Sequence, residues 1–177
     1  MDDCLSDRCN TPTLPQRLQL RPVEGFDVGQ LMSWFPDEAA LRRWSPNNTF
    51  PLEPARFAEQ ARLATLDSRV LVDRSGAVVG FGQYSDRGGC CHLSRLVVRP
   101  ERRSEGLGST LITLLAAEGT QKLNFERLAL LVNRDNVRAL QLYLRLGFDF
   151  APFSNPVALH RAKAYYLQAP YPLPKAG

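Results

Sequence analysis

The alternation of hydrophobic and polar residues divides the chain into short strands and amphipathic helices. Residues 16–23 alternate and predict a first strand. Residues 27–44 carry apolar side chains at helical spacing, and Pro36 divides them into two short helices. A third amphipathic helix is predicted over 54–66. The stretch 1–15 shows no periodicity and contains several breakers, which indicates a flexible N-terminal tail.

The rest of the chain predicts a sheet with a crossover helix. Residues 68–86 form two apolar runs joined by "DRSG", a hairpin signal, and residues 90–100 read as a further strand. The remaining predicted elements are a helix over 106–118, a buried strand over 127–133, a helix over 136–148 and an alternating strand over 157–167. This order predicts an α/β fold: one domain over 16–170, with a mixed central sheet flanked by helices and a C-terminal tail over 171–177.

Composition adds limits to this picture. The 177 residues are 44% hydrophobic and 23% charged, as in ordinary globular proteins, and no apolar run is long enough to span a membrane. The polar start of the chain is not a secretory signal, so we expect a cytoplasmic protein. The net charge of +4 is too small by itself to indicate a nucleic-acid partner, and no DNA- or RNA-binding motif supports one.

The four cysteines do not predict a metal site. Cys90 and Cys91 are neighbours on a predicted strand, so their side chains point to opposite faces. Cys4 and Cys9 lie in the predicted tail, in a chain with only two histidines. Reduced thiols in a cytosolic protein are the simpler interpretation.

The stretch "VVRPERRSEGLGSTLI", residues 97–112, concentrates positive charge and glycine where a strand passes into a helix. The first N–H groups of a helix are unpaired and lie at the positive end of its dipole. Gly106 and Gly108 would let the backbone approach a diphosphate closely, and Arg103 precedes them. The stretch therefore predicts an anion site. A turn that merely requires glycine is the alternative.

Two motifs together resemble the GNAT superfamily of N-acetyltransferases. The pattern Arg/Gln-x-x-Gly-x-Gly/Ala after a strand is matched by Arg103, Gly106 and Gly108. The second pattern is Asn-x-x-Ala-x-x-Leu-Tyr-x-x-x-Gly-Phe, which "NVRALQLYLRLGF" at 136–148 matches. The resemblance covers residues 70–150 and implies a GNAT-like fold whose sheet splays between the strands at 92–98 and 127–133.

The resemblance also implies acetyl-CoA as co-substrate, with an amine acceptor attacking the thioester directly and no metal. The pantetheine arm would lie in the splayed gap, and a backbone N–H near Val98 would stabilise the developing oxyanion. The residues implied in cofactor binding are Leu96, Val97, Val98, Arg103, Ser104, Glu105, Gly106, Leu107, Gly108, Ser109, Asn136 and Tyr143.

Tyr143 fits the role of general acid toward the departing thiol. It lies seven residues after Asn136, about two helical turns, so both share one helix face. Candidates for the base are weaker: His92 and Ser94 share a face of the strand before Val98, and Glu101 lies past its end. The sequence leaves the base undecided, and packing in the core is the alternative role for Tyr143.

Residues 34–52 are the predicted acceptor-facing region. The aromatic side chains that could line a pocket there are those of Trp34, Phe35, Trp44 and Phe50, with helix-to-sheet packing as the alternative. The acidic residues that could attract a cationic amine are Asp37, Glu38 and Glu53. The acceptor stays open between a small molecule and a peptide, and the chain could form a homodimer. A catalytically idle acyl-CoA-binding module is the alternative function.

Overall fold

The structure, a computed structural model, describes residues 18–45 and 49–174. It contains one seven-stranded sheet with helices on both faces. The strands are β1 (Gln19–Pro22), β2 (Asp67–Val72), β3 (Val78–Asp86), β4 (Cys91–Val98), β5 (Arg127–Asn133), β6 (Asp149–Phe150) and β7 (Ala164–Pro170). The helices are α1 (Asp27–Ser33), α2 (Glu38–Trp44), α3 (Pro54–Gln60), α4 (Leu107–Leu123), α5 (Val137–Arg145) and α6 (Pro156–Arg161).

The strands lie in the order β1-β2-β3-β4-β5-β7-β6. Neighbours are antiparallel except β4 and β5, which are parallel and are joined by α4 as a crossover. The predicted mixed α/β class, hairpin and crossover are therefore confirmed. None of the helices within the described ranges is long and apolar enough to cross a membrane.

Each face of the sheet carries its own hydrophobic core. Tyr84 of β3 packs with buried residues of α4, whereas Phe81 of the same strand packs with those of α1, α2 and α3. Residues an odd number of positions apart on a strand point to opposite faces, so the two helix groups lie on opposite sides. Cys91 and Cys90 are buried in different clusters, as their adjacent positions predicted.

The sheet splays between β4 and β5. The two strands pair only from Cys91 to Leu93, opposite Leu128 to Leu130, and separate beyond that point. On its other edge β4 has a bulge, because Phe81 pairs with Val97 and Gln83 with Ser94. Two residues, Arg95 and Leu96, therefore oppose Gly82, and Arg95 has a positive φ of 50°. The predicted gap in the middle of the sheet is confirmed.

Several predicted boundaries were wrong. The first half of 157–167 forms α6 because Asn155 caps it, accepting from the N–H of Ala158 at 2.9 Å, and Pro156 begins it. Helix α3 ends at Gln60, shortly before Arg62 takes a positive φ of 54°.

The remaining predictions concern the end of α4, the first strand and the two tails of the chain. Helix α4 extends past the predicted 118 to Leu123, because its buried face continues to Thr120. The first strand spans Gln19–Pro22 of the predicted 16–23, of which residues 16 and 17 lie outside the described residues. Cys4, Cys9 and the predicted tail 1–15 lie outside the described residues. Of the predicted C-terminal tail, Tyr171 and Leu173 pack against the core.

Candidate functional site

The loop between β4 and α4 presents unpaired backbone amides to a cavity. Ser104 and Gly106 have positive φ values of 72° and 77°, and α4 begins without a side-chain cap. The N–H of Thr110 makes a helical bond, to the carbonyl of Gly106 at 3.2 Å. The N–H groups of residues 107–109 precede that bond, so they have no partner within the helix and are suited to bind an anion.

Gly106 and Gly108 are required for different structural reasons. A Cβ on Gly106 would meet no atom within 4 Å, so the left-handed backbone is what requires glycine there. A Cβ on Gly108 would lie 3.0 Å from Cδ2 of Leu142 on α5, so this glycine permits close packing of two helices.

Arginines around the loop divide into paired and unpaired groups. Arg102 is ion-paired with Asp73 and Glu105, at 3.2 and 2.8 Å. Arg99 is ion-paired with Glu101 at 3.1 Å. These pairs neutralise the two arginines that the motif does not require.

Arg103, Arg138 and Arg43 form no ion pair with any residue the structure describes. Burial lowers the pKa of Arg103, and the neighbouring charges of Arg138 and Arg43 lower it further. Its Nε–H donates to the carbonyl of Val98 at 3.3 Å, and Arg138 donates to Oγ of Ser104 at 2.8 Å. Three positive charges without an ion-pair partner among the described residues thus surround the loop, an arrangement that suits a phosphate ligand.

The loop opens on a cavity of about 560 Å³ that extends into the splayed gap. All of the predicted cofactor residues except Glu105 line it; the carboxylate of Glu105 is engaged by Arg102. The lining members of that set are Leu96, Val97, Val98, Arg103, Ser104, Gly106, Leu107, Gly108, Ser109, Asn136 and Tyr143.

Beyond Leu93, the N–H groups of β4 that face the gap have no partner among the residues that the structure describes. The N–H of Arg99 donates to the carbonyl of Val79 on β3 at 3.0 Å. Because successive N–H groups of a strand alternate in direction, Val97 also faces β3, whereas Leu96 and Val98 direct their N–H groups into the gap. The gap therefore offers strand-like donors at Leu96 and Val98.

Tyr143 lies where α5 crosses the gap. Its ring is 8% exposed and lies 6.1 Å from the ring of Phe148. The hydroxyl has no hydrogen-bond partner among the described residues. Burial raises the pKa of Tyr143 to about 12, so the phenol is protonated at neutral pH. Asn136 caps α5, accepting from the N–H of Ala139 at 3.3 Å.

A second cavity, of about 680 Å³, extends from the gap along β4 and β5. It shares with the first cavity the residues Arg43, Trp44, Leu96, Asn136 and Tyr143. A cofactor in the first cavity and an acceptor in the second would therefore meet beside Leu96 and Tyr143.

The candidate bases separate in this arrangement. His92 and Ser94 line the second cavity, whereas Glu101 lines neither cavity. Burial and the charge of Arg87 lower the pKa of His92 to about 4. A base with so low a pKa removes a proton from an alkylammonium group poorly, so His92 is a weak general base.

The predicted acceptor-facing region contributes mainly aromatic packing. Trp34, Phe35 and Trp44 line the first cavity and also belong to the core beneath α1–α3. The rings of Phe35 and Trp44 stack at 4.6 Å, and Nε1–H of Trp44 donates to the bulge carbonyl of Arg95 at 2.7 Å. Phe50 is exposed and lines neither cavity.

The predicted acidic residues lie away from both cavities. Asp37 caps α2, accepting from the N–H of Ala40 at 2.7 Å, and Glu38 is ion-paired with Arg42 at 2.7 Å. Neither of them, nor Glu53, lines a cavity. The predicted attraction of a cationic amine by these three residues has no support in the geometry.

The acetyltransferase (GNAT) family model matches residues 31–148, which are most of the chain and include both motifs. The chain belongs to this family. The predicted superfamily and enzyme class, an acetyltransferase that uses acetyl-CoA, are therefore confirmed. The free N–H groups of residues 107–109 and the nearby arginines Arg43, Arg103 and Arg138 fit the phosphates of that co-substrate.

Other proteins resemble this GNAT chain over most of its length. The spermidine N(1)-acetyltransferase of Escherichia coli K12 is 24% identical over 139 residues, which are 75% of this chain and 73% of that protein. Among solved structures, spermidine N-acetyltransferase from Vibrio cholerae in complex with CoA and spermine has a TM-score of 0.66 at 17% identity. That match covers 86% of this chain and 95% of the other. AAC(6')-Ib in complex with ribostamycin and coenzyme A has a TM-score of 0.68 at 18% identity, covering 87% and 93%.

Sequence reasoning missed several arginines of this GNAT site. Arg43, Arg95 and Arg138 all line a cavity, but none was identified as a candidate. One signal was available for Arg138, which lies in the first turn of α5. A cation at a helix N-terminus opposes the helix dipole, so its presence there indicates another use. For Arg43 and Arg95, only the packing of α2 and the β4 bulge reveals the position.

Proposed function

We propose that the protein transfers the acetyl group of acetyl-CoA to a primary amine, which attacks the thioester directly. Tyr143 would act as hydrogen-bond donor to the leaving sulfur. The observation that carries this proposal is the meeting of both cavities beside Tyr143 and the free N–H groups of β4. A group held from either side would reach the same few residues, as a two-substrate reaction requires.

Different parts of the site would bind different parts of acetyl-CoA. The amides at the start of α4, with Arg103 and Arg138, would hold the diphosphate, and the gap-facing backbone of β4 would orient the pantetheine arm. The N–H of Val98 or Leu96 would stabilise negative charge on the thioester oxygen. Acetyl-CoA supplies an activated acyl group with a good leaving thiol.

The reaction balances without a covalent enzyme intermediate. The neutral amine nitrogen forms a bond to the carbonyl carbon while the carbon–sulfur bond breaks. The amine loses one proton and the sulfur gains one, so the products are an amide and a free thiol. The Tyr143 hydroxyl would donate a hydrogen bond to the departing sulfur. Water in the second cavity would accept the amine proton, since His92 is a weak base, and a proton from water would complete the free thiol.

Free-thiol release from acetyl-CoA across a panel of primary amines tests this function. Polyamines and aminoglycosides enter the panel because polyamine acetyltransferases and AAC(6')-Ib are among the similar proteins. The expected result is amine-dependent thiol release with one acetylated amine per thiol. Tight CoA binding without turnover on any amine would favour the idle acyl-CoA-binding module instead.

A further inference from the structure

The second cavity is lined by several arginines that have no ion-pair partner among the described residues. Three arginines line this cavity and not the first: Arg62, Arg87 and Arg95. Within the described ranges, none of the three is ion-paired with a carboxylate. An excess of one charge along a concave surface attracts ligands of the opposite charge.

Arg95 is the most strongly held of these arginines. Its guanidinium donates to Oε1 of Gln83 at 2.9 Å and to the carbonyl of Gln60 at 3.0 Å. Both acceptors are neutral, and its buried Nε has no partner among the described residues. A half-buried cation satisfied only by neutral groups is stabilised further when an anion approaches. The neighbouring charge of Arg62 adds to that requirement.

The opposite charge is nearly absent from this cavity. Asp86 is the acidic residue among those that line it. It is two positions from Tyr84 on β3, and Tyr84 packs against α4 on the other side of the sheet. The alternation of side chains therefore directs the Asp86 carboxylate away from the face that carries His92 and Ser94.

A buried polar atom also lacks a partner in the same place. His92 is 5% exposed, and its Nδ1 makes no hydrogen bond with any residue that the structure describes. Buried polar groups are nearly always paired, so an unpaired one in a cavity wall indicates a ligand or water site.

We infer that the acceptor is a primary amine that also carries an anionic group, a carboxylate or a phosphate, held by Arg62, Arg87 and Arg95. This rests on the proposed function. A polycation such as spermidine would bring further positive charge among these arginines. The same arginines lower the pKa of the acceptor's ammonium group and thus increase its neutral, nucleophilic fraction. The arrangement compensates for the weak base at His92.

The test compares acceptors that differ only in their far end. Purified protein and acetyl-CoA are assayed with ω-amino acids of several chain lengths, their amides, the diamines and the aminoalkyl phosphates of equal length. At the best length we expect kcat/KM for an anionic acceptor to exceed that of its amide by about tenfold or more, mostly through KM, and the diamine to be poorest. The carboxylate and phosphate arms identify which anion is preferred.

Arginine-to-glutamine variants test whether the second cavity causes the preference for anionic acceptors. Arg62→Gln and Arg87→Gln change exposed side chains, so folding is preserved, and each should reduce the anion preference by about fivefold or more. Arg127→Gln removes an equal charge from an exposed position outside both cavities and should leave the preference unchanged.

The outcomes separate the two claims. Faster acetylation of diamines or spermidine than of every anionic amine would overturn the inference and leave the transferase function intact. An anion preference in Arg62→Gln and Arg87→Gln that equals that of the parent protein would also overturn it. Absence of thiol release with every amine would overturn the proposed function and this inference with it.

Discussion

Replacing Tyr143 by phenylalanine removes one hydroxyl from the junction of the two cavities. The ring contact with Phe148 is retained, so the free energy of unfolding should change by less than about 1 kcal/mol. The pKa of Tyr143 is about 12, whereas that of a thiol is about 8.5. Complete proton transfer to the thiolate is therefore uphill by about 5 kcal/mol. Hydrogen-bond donation is the stabilising step.

A hydrogen bond to a charged group contributes about 1.5–3 kcal/mol, so kcat should fall by about 10- to 150-fold. The assay is free-thiol release at saturating acetyl-CoA, with CoA affinity measured separately by calorimetry and expected to change little. Tyr165→Phe, which removes a hydroxyl outside both cavities, is the matched control. A kcat within about twofold of the parent protein would refute the role of the hydroxyl.

Three further substitutions test the proposed phosphate site at the start of α4 and the buried side chain of His92. Gly106→Ala forces a side chain into a left-handed backbone, so thermal unfolding should show a loss of about 1–2 kcal/mol and calorimetry a weaker CoA affinity. Arg138→Gln should weaken CoA binding about tenfold and reduce the salt dependence of that binding, whereas Arg99→Gln, which removes an ion-paired arginine, should do neither. Equal effects of the two substitutions would contradict the distinction between unpaired and paired arginines. The pKa of His92 is about 4 in the folded protein, below its ordinary value of 6.5. As the pH falls, the unfolded chain therefore binds the proton before the folded protein does. The free energy of unfolding should consequently decrease by up to about 3 kcal/mol from pH 7 to pH 4. Denaturant titrations of His92→Gln should lack this part of the decrease.

The sequence predicted those parts of the molecule that local patterns determine. The loop with Gly106, the helix with Tyr143 and the strand ending at Val98 each carry periodicity or turn chemistry within a short window. The first half of the predicted strand over 157–167 was wrong for an equally local reason, whereas residues 164–167 do lie in β7. The alternation in "VALHRAKAYYL" indicates a strand throughout, but the cap at Asn155 and the fixed φ of Pro156 begin a helix.

The acceptor side could not be predicted, because it depends on contacts between distant segments. Arg62 follows α3, Arg87 follows β3 and Arg95 lies in the β4 bulge, yet all three line one cavity. Their shared lack of a countercharge is visible only when the neighbours are known. Asp37 and Glu38 looked suited to a cationic acceptor in the sequence, but their side chains cap a helix and pair within it.

Acetyl transfer is expected to occur where the two cavities meet. Free thiol and acetylated amine should be quantified by mass spectrometry in the same reaction of purified protein, acetyl-CoA and the amine panel. We predict equal amounts of both products, dependent on the amine and reduced in Tyr143→Phe but not in Tyr165→Phe. Tight CoA binding with no thiol release above the hydrolysis of acetyl-CoA, for every amine, would contradict the account.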